Sequence, residues 1–208
     1  MTKRVSWMPC LLMLVIAAML SGCSESDSTT AIPNAPTPAA PVASPDSEPA
    51  QPAIDGVIAV DEYSRQTTVS GVKIAWSIEG ETIRMALSAA VEGYVSVGFD
   101  PETRKEGGHY IIRYDTDSDV VVRGHVGTRG NLHEADVDLG GVSNILAFAG
   151  TEIDGQTTLE FIIPLDSGDA YDRPLIPGAE HVLLVAVQNT RDDLISVHSR
   201  HGMDRIAL

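Results

Sequence analysis

The sequence predicts an all-β fold, an antiparallel β-sandwich, and three observations carry that expectation. Apolar and polar residues alternate at period two, the alternating stretches are short, and clusters of Gly, Asp, Asn and Pro separate them. Helical periodicity is almost absent. Val72, Ile74, Trp76 and Ile78 alternate with Lys73, Ala75, Ser77 and Glu79, which places the apolar set on one face of a strand. Gly80 permits a tight reversal, and Ile83, Met85 and Leu87 repeat the alternation, so the pattern predicts a β-hairpin. Further strand-like runs cover 94–99, 110–114, 120–122, 145–148, 158–163, 181–187 and 194–197, with Asp154-Gly155 between two of them. The unbroken apolar run 182–187 predicts a central strand covered on both sides. Many short strands with regular turn signals belong to a sandwich or a barrel.

The domain is expected over residues 54–208, preceded by two segments of other character. Residues 1–22 read as a bacterial lipoprotein signal: Lys3 and Arg4 are basic, Leu11 to Leu20 is apolar, and Leu20-Ser21-Gly22-Cys23 is lipobox-like. The apolar run is short for a membrane span. Cys23 is then the lipidated first residue of a membrane-anchored protein of the cell envelope. Ser24, where an inner-membrane retention signal has Asp, points to the outer membrane, facing the periplasm. Residues 23–53 read as a disordered tether, with seven of the chain's twelve prolines and no Lys or Arg. As extended polyproline II it reaches at most roughly 90 Å.

Several function classes are excluded. Cys10 lies in the signal and Cys23 carries lipid, so the mature domain has no thiolate for zinc, an iron–sulfur cluster or covalent haem. Removing Lys3 and Arg4 with the signal takes the formal charge from −15 to −17, with 12 basic against 29 acidic residues. Such a surface repels nucleic acid and suits a basic partner, including a cationic electron carrier. Hydrolase, phosphate-cradling and dinucleotide fingerprints are absent, so no enzyme activity is expected.

Five segments then resemble, in order, those of the DOMON domain family. Trp76 in the 73–78 strand is similar to the family's early tryptophan strand, and Gly93-Tyr94-Val95-Ser96-Val97-Gly98-Phe99 to its GW-x-A-x-G-F strand. Asp138-Leu139-Gly140-Gly141 resembles the loop before the next strands. Residues 159–169 resemble the EF-x-R-x-L-x-T-G-D run, and Val197-His198-Ser199-Arg200-His201-Gly202 the terminal YH-x-x-RG. The resemblance implies an immunoglobulin-like β-sandwich that holds haem b or a sugar outside the cytoplasm.

Haem-binding members place the iron between a Met after the G-F strand and a His in the terminal run. His198 matches the His. A count without gaps puts Lys105 where the Met is expected, and the mature methionines are Met85 and Met203. Met85 alternates with Ile83 and Leu87, as a core residue does. The second axial position is therefore open among Lys105 as a neutral amine, which requires burial, His109 four residues on, and Met203. The alternative is that Lys105 is a solvated loop charge and His109 a strand histidine.

The expected function is haem b binding for electron transfer or redox sensing, with a redox protein as partner. The alternative is a cofactor-free module that recognises a sugar or a protein; Tyr94, Tyr110 and Tyr171 are its candidate platforms. His198 and His201, with His109, His125 or His133, have no diagnostic zinc spacing. Asp115-Thr116-Asp117-Ser118-Asp119 opens like a calcium loop, but Val120 and Val126 replace its Gly and Glu, so a polar hairpin turn is expected. Asp166, Asp169 and Asp172 are expected to bond the backbone of their own loop.

Overall fold

The computed structural model describes residues 53–116 and 119–208. The signal, the lipidation site Cys23 and nearly all of the tether lie outside these residues. Eleven strands are present: β1 (Arg65–Val69), β2 (Val72–Glu79), β3 (Thr82–Ala89), β4 (Val95–Phe99), β5 (His109–Asp115), β6 (Val120–Gly127), β7 (His133–Ala135), β8 (Ala147–Ile153), β9 (Gln156–Pro164), β10 (Glu180–Val187) and β11 (Arg200–Ala207). They form a five-stranded sheet, β1-β2-β3-β9-β8, and a six-stranded sheet, β11-β10-β4-β5-β6-β7, with every pairing antiparallel. The only helical element among the described residues is the 3-10 turn Asp136–Leu139. This is the expected all-β sandwich.

The core is built from the alternation seen in the sequence. Ile74, Trp76, Ile83, Met85, Leu87, Leu159 and Phe161 of one sheet meet Val95, Val97, Phe99, Ile111, Leu183 and Val185 of the other. Each fully buried side chain of this size contributes about 1.5–3 kcal/mol by leaving water. The β8–β9 hairpin turns on Asp154 and Gly155, at φ 52° and 72°. Positive φ at both central residues matches the twist of the flanking strands, and Asp-Gly accepts it readily.

A strap, residues 53–64, covers the outer face of the five-stranded sheet. Glu160 and Arg84, on adjacent strands there, are essentially unexposed. Glu160 accepts hydrogen bonds from Asp55 N (3.1 Å), Gly56 N (2.7 Å) and Tyr63 Oη (2.5 Å). Arg84 Nη2 pairs with Glu62 Oε1 at 2.5 Å and donates to Ala53 O at 2.6 Å. Burial and the Glu160 carboxylate push the Tyr63 hydroxyl far above its usual range. Buried charges are tolerable only when paired and bonded in this way.

One reading needs correction. The run 194–197 is not a strand: it lies in the β10–β11 connection, with Ile195 and Val197 exposed. The last strand is β11, whose polar sequence Arg-His-Gly-Met-Asp-Arg-Ile-Ala hides it. β5 and β6 pair antiparallel, with Thr116 N donating to Asp119 O at 2.9 Å, while residues 117 and 118 of the expected polar turn lie outside the described residues.

Candidate functional site

Period-two geometry decides which side chains of the six-stranded sheet face the core and which face outward. On β5, Ile111 is in the core, so His109 and Arg113 share its face, while Tyr110, Ile112 and Tyr114 point out. Residues opposite one another on neighbouring strands share a face, and one outer row reads Met203, Leu184, Gly98, Tyr110, His125, Ala135 across β11, β10, β4, β5, β6 and β7. The next row reads His201, Ala186, Ser96, Ile112, Arg123. The outer face therefore has an apolar, small-residue middle, flanked by aromatic and imidazole side chains.

Two loops bring further groups to this face. In the β4–β5 loop, Lys105 O accepts hydrogen bonds from Gly108 N (3.2 Å) and from Tyr110 Oη (3.0 Å). In the β10–β11 loop, Leu194 packs on the Tyr94–Tyr110–Ile112 cluster, and Tyr94 Oη donates to Ser196 O at 3.5 Å. His198 follows, its ring centroid 4.6 Å from that of His201. The loop is tied down from below: Tyr94 N donates to Arg191 O, and Asp192 Oδ1 accepts from Asp115 N at 3.1 Å. At Gly93 any Cβ would lie 2.5 Å from the carbonyl oxygens of Gln188 and Arg191, so this close approach requires glycine.

Lys105 and His198 come to the same side of the sheet. Burial, then the positive charge of Lys105, then His201 hold the His198 imidazole below its ordinary pKa. Burial alone lowers the Lys105 amine. The Lys105 charge also reaches His133. His198 is thus a neutral ring at neutral pH, with a lone pair to offer.

His109 is not part of this arrangement. It stands opposite Phe99 and Val126, faces the core, and is 4 % exposed. Its Nε2 lies 3.2 Å from Asp172 Oδ1. Only a one-residue slip of β5 would turn it outward, and that slip would expose Ile111. Of the two readings of His109, its position is that of the strand histidine, on the opposite face from His198. Met203 does lie on the outer face, beside His201, and is 69 % exposed.

In the acidic loop Asp166 and Asp169 bond the loop backbone as expected, whereas Asp172 bonds side chains instead. Asp166 accepts from Gly168 N, Asp169 from Tyr171 N and Val142 N, and Asp172 from Ser167 Oγ and Asn144 Nδ2. Of the three tyrosine platforms, Tyr94 and Tyr110 are buried and Tyr171 is half-buried, its hydroxyl on Leu139 O. Among the described residues, one group of three acids stands close enough to hold a metal, Asp115, Glu152 and Asp192. The buried Arg113 guanidinium already supplies the cation there, 2.7, 3.8 and 3.9 Å from the three carboxylates.

The sequence reading named His125 and His133 only as alternatives to each other beside His198 and His201, and the structure pairs them on the outer face. His125 Nδ1 and His133 Nδ1 are 3.1 Å apart. Their signal is a spacing of eight residues across the β6–β7 hairpin, invisible until β7 is recognised as a strand.

No family model and no curated protein matches the chain. Among solved structures, the chain is similar to the cytochrome b domain of pyranose dehydrogenase from Coprinopsis cinerea, with 10 % identity, TM-score 0.49, and coverage of 66 % of this chain and 76 % of that one. It is also similar to the cytochrome domain of Myriococcum thermophilum cellobiose dehydrogenase, with 11 % identity, TM-score 0.48, and coverage of 72 % and 80 %.

Proposed function

We propose that the chain is an envelope lipoprotein whose DOMON-like domain binds haem b on the outer face of the six-stranded sheet and serves electron transfer or redox sensing. The observation that carries this reading is the convergence of His198 and Lys105 on one face, each with its charged form disfavoured. An axial ligand must present a lone pair, and burial favours the neutral forms of both side chains. Half-buried Leu184 and Ala186, beside the Tyr110 ring that packs over Gly98, form the apolar middle of the same face, which suits a planar, largely apolar group.

The residues present fit haem. His198 would hold the iron from one side, and Lys105, kept in place through its carbonyl by Tyr110 Oη, is the candidate for the other. Haem, when bound, supplies a one-electron iron couple. The protein's part is to exclude water, orient His198 and set the local charge. The acidic surface fits a basic redox partner. In this reading Cys23 anchors the domain to the outer membrane, facing the periplasm, and the domain itself is not an enzyme.

A second reading has one observation in its favour. Ile195 and Val197, 95 % and 78 % exposed on the β10–β11 loop, suit contact with a protein partner whether or not a cofactor is present. The two readings part on a spectrum. Supplying haem b to the folded protein should give a Soret band and one iron per chain, and His198→Ala should lose both. A spectrum equal to that of free haem would leave the cofactor-free reading.

A further inference from the structure

His125 and His133 stand on the outer face of β6 and β7, and strand register fixes their relation. Gly127 pairs with His133 and His125 with Ala135, so the two histidines are diagonal neighbours on adjacent strands. Their Nδ1 atoms are 3.1 Å apart, and their rings cross at 79° with centroids 5.0 Å apart. Two imidazole nitrogens bound at about 2.0–2.1 Å to one ion, at roughly tetrahedral to right angles, lie about 2.9–3.4 Å from each other. The pair meets that spacing as it stands.

We propose that His125 and His133 form a two-imidazole site for a first-row divalent metal, copper(II) in preference to zinc(II). His125 is 6 % exposed, so its ring is held by packing. His133 is half-buried and leaves the ion's remaining positions to water. Without a metal, one Nδ1–H must lie between the rings, and His125 Nε2 is buried with no hydrogen-bond partner. Both rings are held below the ordinary histidine pKa: His125 to about 4, by burial, then by His133 and Arg123, and His133 by burial and then Lys105. Asp138 favours an added positive charge at His125, while Arg123 opposes it there and Lys105 opposes it at His133. That balance points to a metal of high intrinsic affinity for imidazole, and copper(II) heads the first-row order. The site does not depend on haem.

The test uses the haem-free folded unit 49–208, which contains the whole core described above. Copper(II) chloride is titrated in against glycine as competitor, with electron paramagnetic resonance reading the ligand nitrogens. One copper per chain with two equatorial nitrogens is expected. His133→Gln, checked for folding by circular dichroism, should lose that binding, and His201→Ala, which breaks the other close imidazole pair, should keep it. In the unmodified protein, copper should also shield His133 from diethylpyrocarbonate, read by mass spectrometry. Copper bound equally by His133→Gln, loss of binding in His201→Ala, or no shielding of His133 would overturn the proposal.

Discussion

Replacing Glu160 with Ala should destabilise the domain by about 3 kcal/mol, because a buried ion pair costs about 3–5 kcal/mol when one partner is removed. The structure argues for the lower part of that range. Arg84 keeps Glu62 at 2.5 Å and so is not stranded. What is lost is the charged acceptor of Asp55 N, Gly56 N and Tyr63 Oη. Each unsatisfied buried donor costs about 1–3 kcal/mol, reduced here because the strap can loosen toward water. Glu160→Gln should cost roughly half as much, since its amide oxygen can still accept from the two backbone amides and its NH2 can face a rotated Tyr63 hydroxyl. For a domain of this size ~3 kcal/mol corresponds to a fall of roughly 6–12 °C in Tm. Urea denaturation measures the first quantity and hydrogen exchange at Asp55 and Gly56 reports the strap directly. The reasoning fails if Glu160→Ala shifts stability by less than about 0.5 kcal/mol, or if those two amides exchange in the parent protein as fast as in an unfolded peptide.

Further expectations concern the sheet that carries the site. His109 sits below its ordinary pKa, chiefly through burial, although Asp172 and Asp169 pull it up. The native state therefore binds fewer protons than the unfolded chain, and stability present above about pH 6.5 is lost progressively as pH falls below it. Unfolding midpoints between about pH 8 and pH 5 should fall less steeply in His109→Gln than in the parent; parallel slopes would contradict this. At Gly98 a Cβ would meet the Tyr110 ring at 2.2 Å. Gly98→Ala should cost about 1–3 kcal/mol through overpacking and displace Tyr110 from Lys105 O, visible in the Tyr110 ring resonances.

What the sequence disclosed follows from where period two is kept. In β2 and β3 the core face is wholly apolar and the other face carries Lys73, Ser77, Glu79 and Arg84, so both strands were legible residue by residue. On β10 the run 182–187 is apolar on both faces, with Leu184 and Ala186 half-buried on the outer face that carries the candidate site. β11 was hidden for the opposite reason: as an edge strand with exposed residues through most of its length, it has little apolar period to read. The proposal of His198 and Lys105 rests on the family pattern. The choice between His109 as ligand and as strand histidine stayed open because counting along a loop carries no information about which face a residue takes once the strand begins. The Arg84–Glu160 network and the His125–His133 pair join residues far apart in sequence or on a three-residue strand, and no local pattern marks either.

The most direct test of the haem reading is an absorption spectrum of the folded unit 49–208 after haem b is supplied and excess removed, with iron counted per chain. The account predicts a Soret band and one iron per chain in the parent protein and in His201→Ala, both lost in His198→Ala, and a shifted band in Lys105→Met. A parent protein without a Soret band or stoichiometric iron would contradict it.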